Sequence, residues 1–289
     1  MERKFIDLHT HTTLSDGGLS PQALIDEARR AGICTMAITD HNRLVETLKA
    51  LRKANPDMEL IDGCEVSCLF LDSQGQQKEI HIIALGFDPE DPELKTLLER
   101  NKVDRTEKNR TILRLLEGYG IHLGTLEEVA ARFPETSYVG RMAIARTMVD
   151  MGYVSSTDEA FDIYLGGGID QKKLAFVPEV LDFATLEEVV PVIAKTGCPV
   201  LAHLPYYSLS EADNHRLIRT FKELGGIAME VEYRRYNRQQ RDRLAEYAKQ
   251  YGLLPSAASD YHSEAAGDTM ANQFPMEICD GLRPWFMHK

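Results

Sequence analysis

"FIDLHTHTTLSDG", residues Phe5–Gly17, reads as an opening β-strand that ends in His9-Thr-His11 and runs into a turn carrying Asp16. Imidazole nitrogen and carboxylate oxygen are donors that suit zinc, manganese and iron. A lone His-x-His is nevertheless common on strands that bind nothing. Its meaning depends on whether the rest of the chain brings partners to the same place.

The sequence that follows alternates helix and strand signals. "SPQALIDEARRAG" predicts a helix with Ser20 as N-cap, Pro21 at its first position and Gly32 just past its end. Strands are expected at "ICTMAITDHN", "MELIDGCEVSCLFL" and "KEIHIIALGF", with a helix at "RLVETLKALRKAN" between the first two. This βαβ rhythm predicts a largely parallel sheet with helices outside it. From about Pro92 to Pro178 the pattern is helical throughout. We expect an α-helical insertion there, residues 92–178, serving as a substrate cap on a site-bearing domain made of 1–91 and 179–289. The βα rhythm then resumes, with strands at "CPVLAHLP" and "IAMEVEY" and a final run "LLPSAASDYH".

The strand ends carry the chemistry. The first delivers His9 and His11, with Asp16 in the loop after it, and the second delivers His41 beside Asp40. The third and fourth carry Glu65 and His81, the strand after the insertion ends in His203, and the last ends in Asp260 and His262. In α/β barrels and open sheets such groups gather at one edge. Nine donors are too many for one ion. A bridging carboxylate such as Glu65 suits two metals a few ångströms apart, the spacing that clamps a phosphoryl group and activates a water. Six of the nine histidines of the chain fall at these positions, and His122, His215 and His288 are assigned no role.

The 289 residues are 43% hydrophobic and 27% charged, ample for a sizeable core in one large or two smaller domains. No apolar run reaches the ~18 residues of a membrane helix. "MERKFIDLH" enters a strand directly, so no leader peptide is expected and the chain is expected in the cytoplasm. The five cysteines, Cys34, Cys64, Cys68, Cys198 and Cys279, read as reduced packing thiols. A net charge of −12 opposes binding to membranes or long nucleic acid. It is compatible with a small phosphorylated substrate if bound metals make a local positive site.

In order along the chain, "DLHTHTTLSDG", "AITDHN", "GCEVS", "EIHIIALGF", "LAHLP" and "ASDYH" resemble the motifs of the PHP (polymerase and histidinol phosphatase) family of metal-dependent phosphoesterases. The insertion, with "GRMAIARTMVDMGYVSSTDEAF", resembles its TrpH/YciV-like subgroup, whose members act on nucleoside 3′,5′-bisphosphates and short RNA. The resemblance implies a distorted seven-stranded (β/α)7 barrel with three divalent metal ions (manganese, iron or zinc), a bridging hydroxide and no organic cofactor. It implies a first metal on His9, His11, Glu65 and Asp260, a second on Glu65, His81 and His203, and a third on Asp16, His41 and His262. Asp40 is expected to orient a ligand.

Phosphate contacts are expected from Arg141 and Arg146 of the insertion, from Lys172 and Lys173 in its glycine-rich run, and from Arg234 and Arg235. Guanidinium matches phosphate geometry. Where the subgroup usually carries histidine, this chain has Ala143, and "AHLPYY" replaces a commoner "AHP". These departures keep open a cyclic phosphodiesterase that opens a phosphoribose 1,2-cyclic phosphate and then releases phosphate. Two other classes are weighed: a non-catalytic PHP scaffold, which needs a fused partner domain, and a metal-dependent amidohydrolase, which calls for a carbamylated lysine at a strand end that the sequence does not show.

Overall fold

The computed structural model describes residues 5–134, 139–165, 183–263, 268–270 and 273–286, without the side chains of 103–105. Lys172 and Lys173 lie outside the described residues.

The chain begins β1 (Phe5–Asp7), α1 (Pro21–Arg30), β2 (Ile33–Ile38), α2 (Leu48–Ala54), β3 (Glu59–Leu71), β4 (Gln77–Leu85). The helical stretch follows as α3 (Pro92–Gly118), α4 (Leu126–Arg132), α5 (Arg141–Asp150) and α6 (Thr157–Ala160). Then come α7 (Leu186–Thr196), β5 (Cys198–Leu201), α8 (Glu211–Glu223), β6 (Ala228–Tyr233), α9 (Arg238–Tyr251), β7 (Leu254–Ala258), β8 (Phe274–Pro275) and α10 (Arg283–Phe286). Local signals set the boundaries of α1: the Ser20 hydroxyl accepts from Ala23 N–H, and Gly32 leaves the helix at φ 82°. The second helix is shorter than its sequence pattern, because Asn42 sits at φ 49° with its N–H bonded to Glu65 O. That keeps the chain in a loop until Thr47.

Strands β1 to β7 form one sheet in chain order, and the sheet closes on itself. Leu8 N–H donates to Ala257 O at 3.1 Å, and Thr10 bridges Tyr261 in parallel, joining β1 to β7. The two residues of β8 add an eighth strand, antiparallel to the start of β1. The (β/α)7 barrel is therefore present with one short extra strand.

The sheet is less parallel than the sequence rhythm suggests. β3 and β4 pair antiparallel as a long hairpin, and β4 pairs antiparallel with β5. The connection between β3 and β4, Asp72–Gln76, has Gly75 at φ 77° and is far too short for the dozen or more residues of a parallel crossover. Glu65 and His81 are thus mid-strand residues, not strand ends. They reach the rim because the hairpin runs on past it.

Inside the barrel, Ile6, Leu8, Ala37, Ile61, Ile83, Val200, Ala228 and Ala257 meet Leu282 and Phe286 of the C-terminal segment, which plugs the floor. Cys64 and Cys68 join the apolar core on the outer face of β3, the face that packs on α7, as thiols without disulfides. The helices after Pro92 have their own apolar cluster, including Ile112, Leu116, Ile144, Met148 and Leu165. Among the described residues of 92–165 there is no strand. α3 belongs to both bodies: Leu94, Leu97 and Leu98 pack on the barrel, and Asn101 is buried with its amide on Asn42 Oδ1 and Ser67 O. No helix among the described residues is long and apolar enough to cross a membrane.

Gly63 sits where β2 and β3 approach closely. A Cβ there would stand 2.6 Å from Ile38 O and 2.8 Å from Thr39 Cγ2. Gly63→Ala is expected to destabilise the fold by ~1–3 kcal/mol, the usual cost of overpacking. Thermal unfolding checks this; an unchanged midpoint would show that the strand spacing is not limiting.

Candidate metal centre

All nine side chains expected from the sequence meet at one end of the barrel. They fall into groups whose donor atoms lie within 4.8 Å of one another: His11, Asp16, His41 and His262; His9, His11 and Asp260; His9, Glu65 and His203; His41, Glu65 and His81. His9 Nε2, His11 Nε2 and Asp260 Oδ1 are 3.0–3.3 Å apart. Glu65 Oε2 is 3.3 and 3.2 Å from the same two nitrogens. Bonds of ~2.1 Å from one metal to neighbouring ligands put those ligand atoms ~3.0–3.4 Å apart. Glu65 faces two ways, with Oε1 2.7 Å from His81 Nδ1 and 3.0 Å from His203 Nε2, while Oε2 is 2.9 Å from His41 Nδ1. Asp16 lies 3.5 Å from His41 Nε2 and 3.4 Å from His262 Nε2.

Period-two alternation brings Glu65 and His81 inward. Glu65 follows Ile61 on the interior face of β3, and His81 precedes Ile83 on that of β4. The His-x-His loop is folded back tightly: a Cβ on Gly17 would stand 2.4 Å from His11 O. Asp40 fixes this loop by accepting from Thr12 N–H at 2.8 Å, Thr12 Oγ1 at 2.6 Å and Ser15 Oγ at 2.6 Å. It therefore holds His11 through the loop, and its charge also acts on that imidazole. His203 and Asp260 stand at φ 22° and 51°, conformations that non-glycine residues adopt at a cost, and the strain falls where β5 and β7 hand a side chain to the cluster.

The cluster demands positive charge. Burial works to raise the Glu65 carboxyl, but His41, His81 and His9 around it hold it well below the usual carboxylate range. Asp16 and Asp260 are likewise held low against burial, chiefly by His41 and His262 for the first and by His9 and His262 for the second. Burial lowers the imidazoles, yet His81 is driven up to about 9 with Glu65 the main opposing influence, and His262 to about 10 with Asp16. Glu65 Oε2 and His81 Nδ1 are buried and make no well-aligned hydrogen bond. Divalent cations meet this demand while releasing the imidazole protons, so the donor set fits divalent metals.

The expected phosphate contacts are distributed differently. Arg141 opens α5, and both it and Arg146 are half-buried. Ala143 packs into the apolar cluster of the helices. Arg234 is buried in an ion pair with Asp268, whose other oxygen accepts from His262 N–H at 2.7 Å. It serves the loop that presents His262, which leaves it poorly placed to meet a phosphate. Arg235 shares Asp268 at 3.1 Å but is half-exposed.

Sequence reasoning missed several partners. Glu230, 1% exposed, accepts at Oε1 from His9 Nδ1 at 2.7 Å and at Oε2 from His203 N–H at 2.7 Å. Its signal was a carboxylate inside the apolar strand "IAMEVEY", two residues from the interior Ala228. Glu79 lies 3.2 Å from His81 Nε2 and 3.2 Å from Lys108 Nζ, so α3 reaches the cluster. The Tyr233 hydroxyl donates to Asp260 Oδ2 at 2.7 Å.

The PHP-domain profile matches residues 7–127. Over 260 residues the chain is 35% identical to the 5′-3′ exoribonuclease Rnm of Escherichia coli (strain K12), covering 89% of this chain and 84% of that one. It is 31% identical over 266 residues to a 3′,5′-nucleoside bisphosphate phosphatase of Chromobacterium violaceum, covering 91% and 88%. A solved Chromobacterium violaceum structure, described as an amidohydrolase with bound sulfate and no metal, matches with a TM-score of 0.80 at 29% identity, over 97% of this chain and 96% of that one. Motif order, barrel and similarity along nearly the whole length agree: the chain belongs to the PHP family and is a metal-dependent phosphoric ester hydrolase.

Proposed function

We propose that the chain hydrolyses a small phosphorylated metabolite, a nucleoside 3′,5′-bisphosphate or a short 5′-phosphorylated oligonucleotide, using three divalent ions. The observation that carries this is Glu65, whose Oε2 faces His9 and His11 while its Oε1 faces His81 and His203. His9, His11, Glu65 and Asp260 would hold one ion, Glu65, His81 and His203 a second, and Asp16, His41 and His262 a third. Bound there, the ions would activate a water and neutralise charge on the phosphoryl oxygens. Three carboxylates against three divalent ions leave a positive site in a chain of net charge −12, which suits a phosphate dianion.

The protein's own side chains set the geometry. Glu230 fixes the His9 ring with Nε2 inward, and Asp40 holds the loop bearing His11 and Asp16. The described helices between 92 and 165 would cap the mouth, with Arg141 of α5 as the cationic group offered to a second phosphate. The names of the Escherichia coli and Chromobacterium violaceum relatives support a nucleotide substrate. A relative at 25% identity, a phosphoribosyl 1,2-cyclic phosphate diphosphodiesterase of Eggerthella lenta, keeps the cyclic ester as the rival.

Manganese-loaded protein is expected to hold about three ions per chain by plasma mass spectrometry, and a stoichiometry of one or none would overturn the three-ion assignment. The loaded protein should release phosphate from adenosine 3′,5′-bisphosphate, and His81→Ala should lower the rate at least ~100-fold. Release only from a phosphoribose cyclic phosphate would shift the assignment to the rival, and cleavage only of amides would shift it to the amidohydrolase class. Glu230 must accept two hydrogen bonds, which an amide cannot do at both atoms. Glu230→Gln is therefore expected to weaken metal retention ~10–100-fold on competitive chelation, with the fold intact by circular dichroism. Unchanged retention would show that Glu230 does not orient His9.

A further inference from the structure

One wall of the cluster is aromatic. His203 is edged by Tyr206 at 5.9 Å, by Tyr207 at 5.5 Å and by Tyr233 at 6.4 Å between ring centres. Tyr207 is consumed by the fold, its hydroxyl taking His81 N–H at 2.8 Å and donating to Ala202 O at 2.9 Å. Tyr233 is buried, donates to Asp260 and lies 4.8 Å from Tyr236. Tyr206 differs. It is 37% exposed, and of the six exposed large hydrophobic side chains among the described residues it is the one in ring contact with the cluster. Both of its ring contacts, with His203 at 90° and with Tyr233 at 62°, are edge-type, so neither covers it with a parallel ring. The backbone holds this position firmly: Tyr206 N–H donates to His203 O at 2.9 Å in a short helical turn that begins directly at the cluster residue.

A part-exposed aromatic ring fixed beside a centre that hydrolyses phosphate esters suits a ligand that carries both a flat ring and a phosphate. We propose that Tyr206, backed by Tyr233, is the subsite that stacks the nucleobase of the substrate and so selects nucleotides over base-free phosphosugars. This rests on the hydrolase reading above and narrows it. Stacking on an aromatic side chain tolerates any base, so the subsite discriminates the presence of a base and not its identity.

The test compares the manganese-loaded protein on adenosine 3′,5′-bisphosphate and on its abasic analogue, in which hydrogen replaces the base. The wild-type protein is expected to prefer the nucleotide. In Tyr206→Ala the ratio of kcat/KM for the two substrates should fall about tenfold, through KM for the nucleotide, while Tyr206→Phe keeps the wild-type ratio. A Tyr206→Ala protein that loses both substrates equally would show that the ring merely supports His203, and an unchanged ratio would show that it touches no base; either overturns the proposal. Equal use of both substrates by the wild-type protein overturns it while leaving phosphate-ester hydrolysis standing. Hydrolysis of neither substrate removes the nucleotide reading of the preceding subsection and this one with it.

Discussion

The Glu65 carboxylate is the constraint on which the rest of the site depends. It is 1% exposed, at the centre of a barrel, where an unpaired charge is prohibitive. Five imidazoles surround it, those of His9, His11, His41, His81 and His203, all between 2.7 and 3.3 Å from its oxygens. No apolar packing would tolerate this arrangement. It is stable only with positive charge distributed through the cluster, as imidazolium or as bound cations, and the latter also organise a phosphate.

The hairpin of β3 and β4 makes that placement possible. In an all-parallel barrel each strand stops at the rim and offers its last residue or two. Here β3 is thirteen residues long and pairs with β4 through the level of the rim. Glu65 and His81 therefore sit on a rigid ladder with neighbours on both sides. The other seven donors come from loops and strand ends held by particular bonds, such as those of Asp40 to Thr12 and Ser15 and of Asp268 to His262. The most central donor is thus the most rigidly mounted, which suits a residue that must face two sets of partners at once.

The donor types were legible in the sequence because histidine and acid at successive strand ends are rare outside metal chemistry. Strand pairing direction was not read, because apolar alternation is the same in parallel and antiparallel ladders. The five-residue turn holding Gly75 was the available clue. Glu230 escaped because a strand pattern does not say which inward carboxylate has partners. Arg234 is expected at the phosphate from its place in "EYRRYNRQQR", but its side chain turns in to Asp268, a residue 34 positions later that only the closed barrel brings near. Residue type and order are local properties and were readable; pairing across the barrel is a property of closure and was not.

Closure also decides which nitrogen three of the imidazoles present. His9 has Nδ1 on Glu230, so Nε2 carries the inward lone pair. His81 is reversed, with Nε2 near Glu79 and Nδ1 toward Glu65. His262 places Nδ1 3.0 Å from Asp260 O and turns Nε2 to Asp16. In each case an oxygen acceptor behind the ring assigns the proton to the outer nitrogen and leaves the inner one as a donor atom. The acceptors differ: a strand carboxylate from β6, a carboxylate shared with Lys108 of α3, and a backbone carbonyl at a positive-φ residue after β7. The inward lone pairs are therefore set by three separate elements of the fold, and a barrel that closed with any of them out of register would keep its histidines but lose their direction.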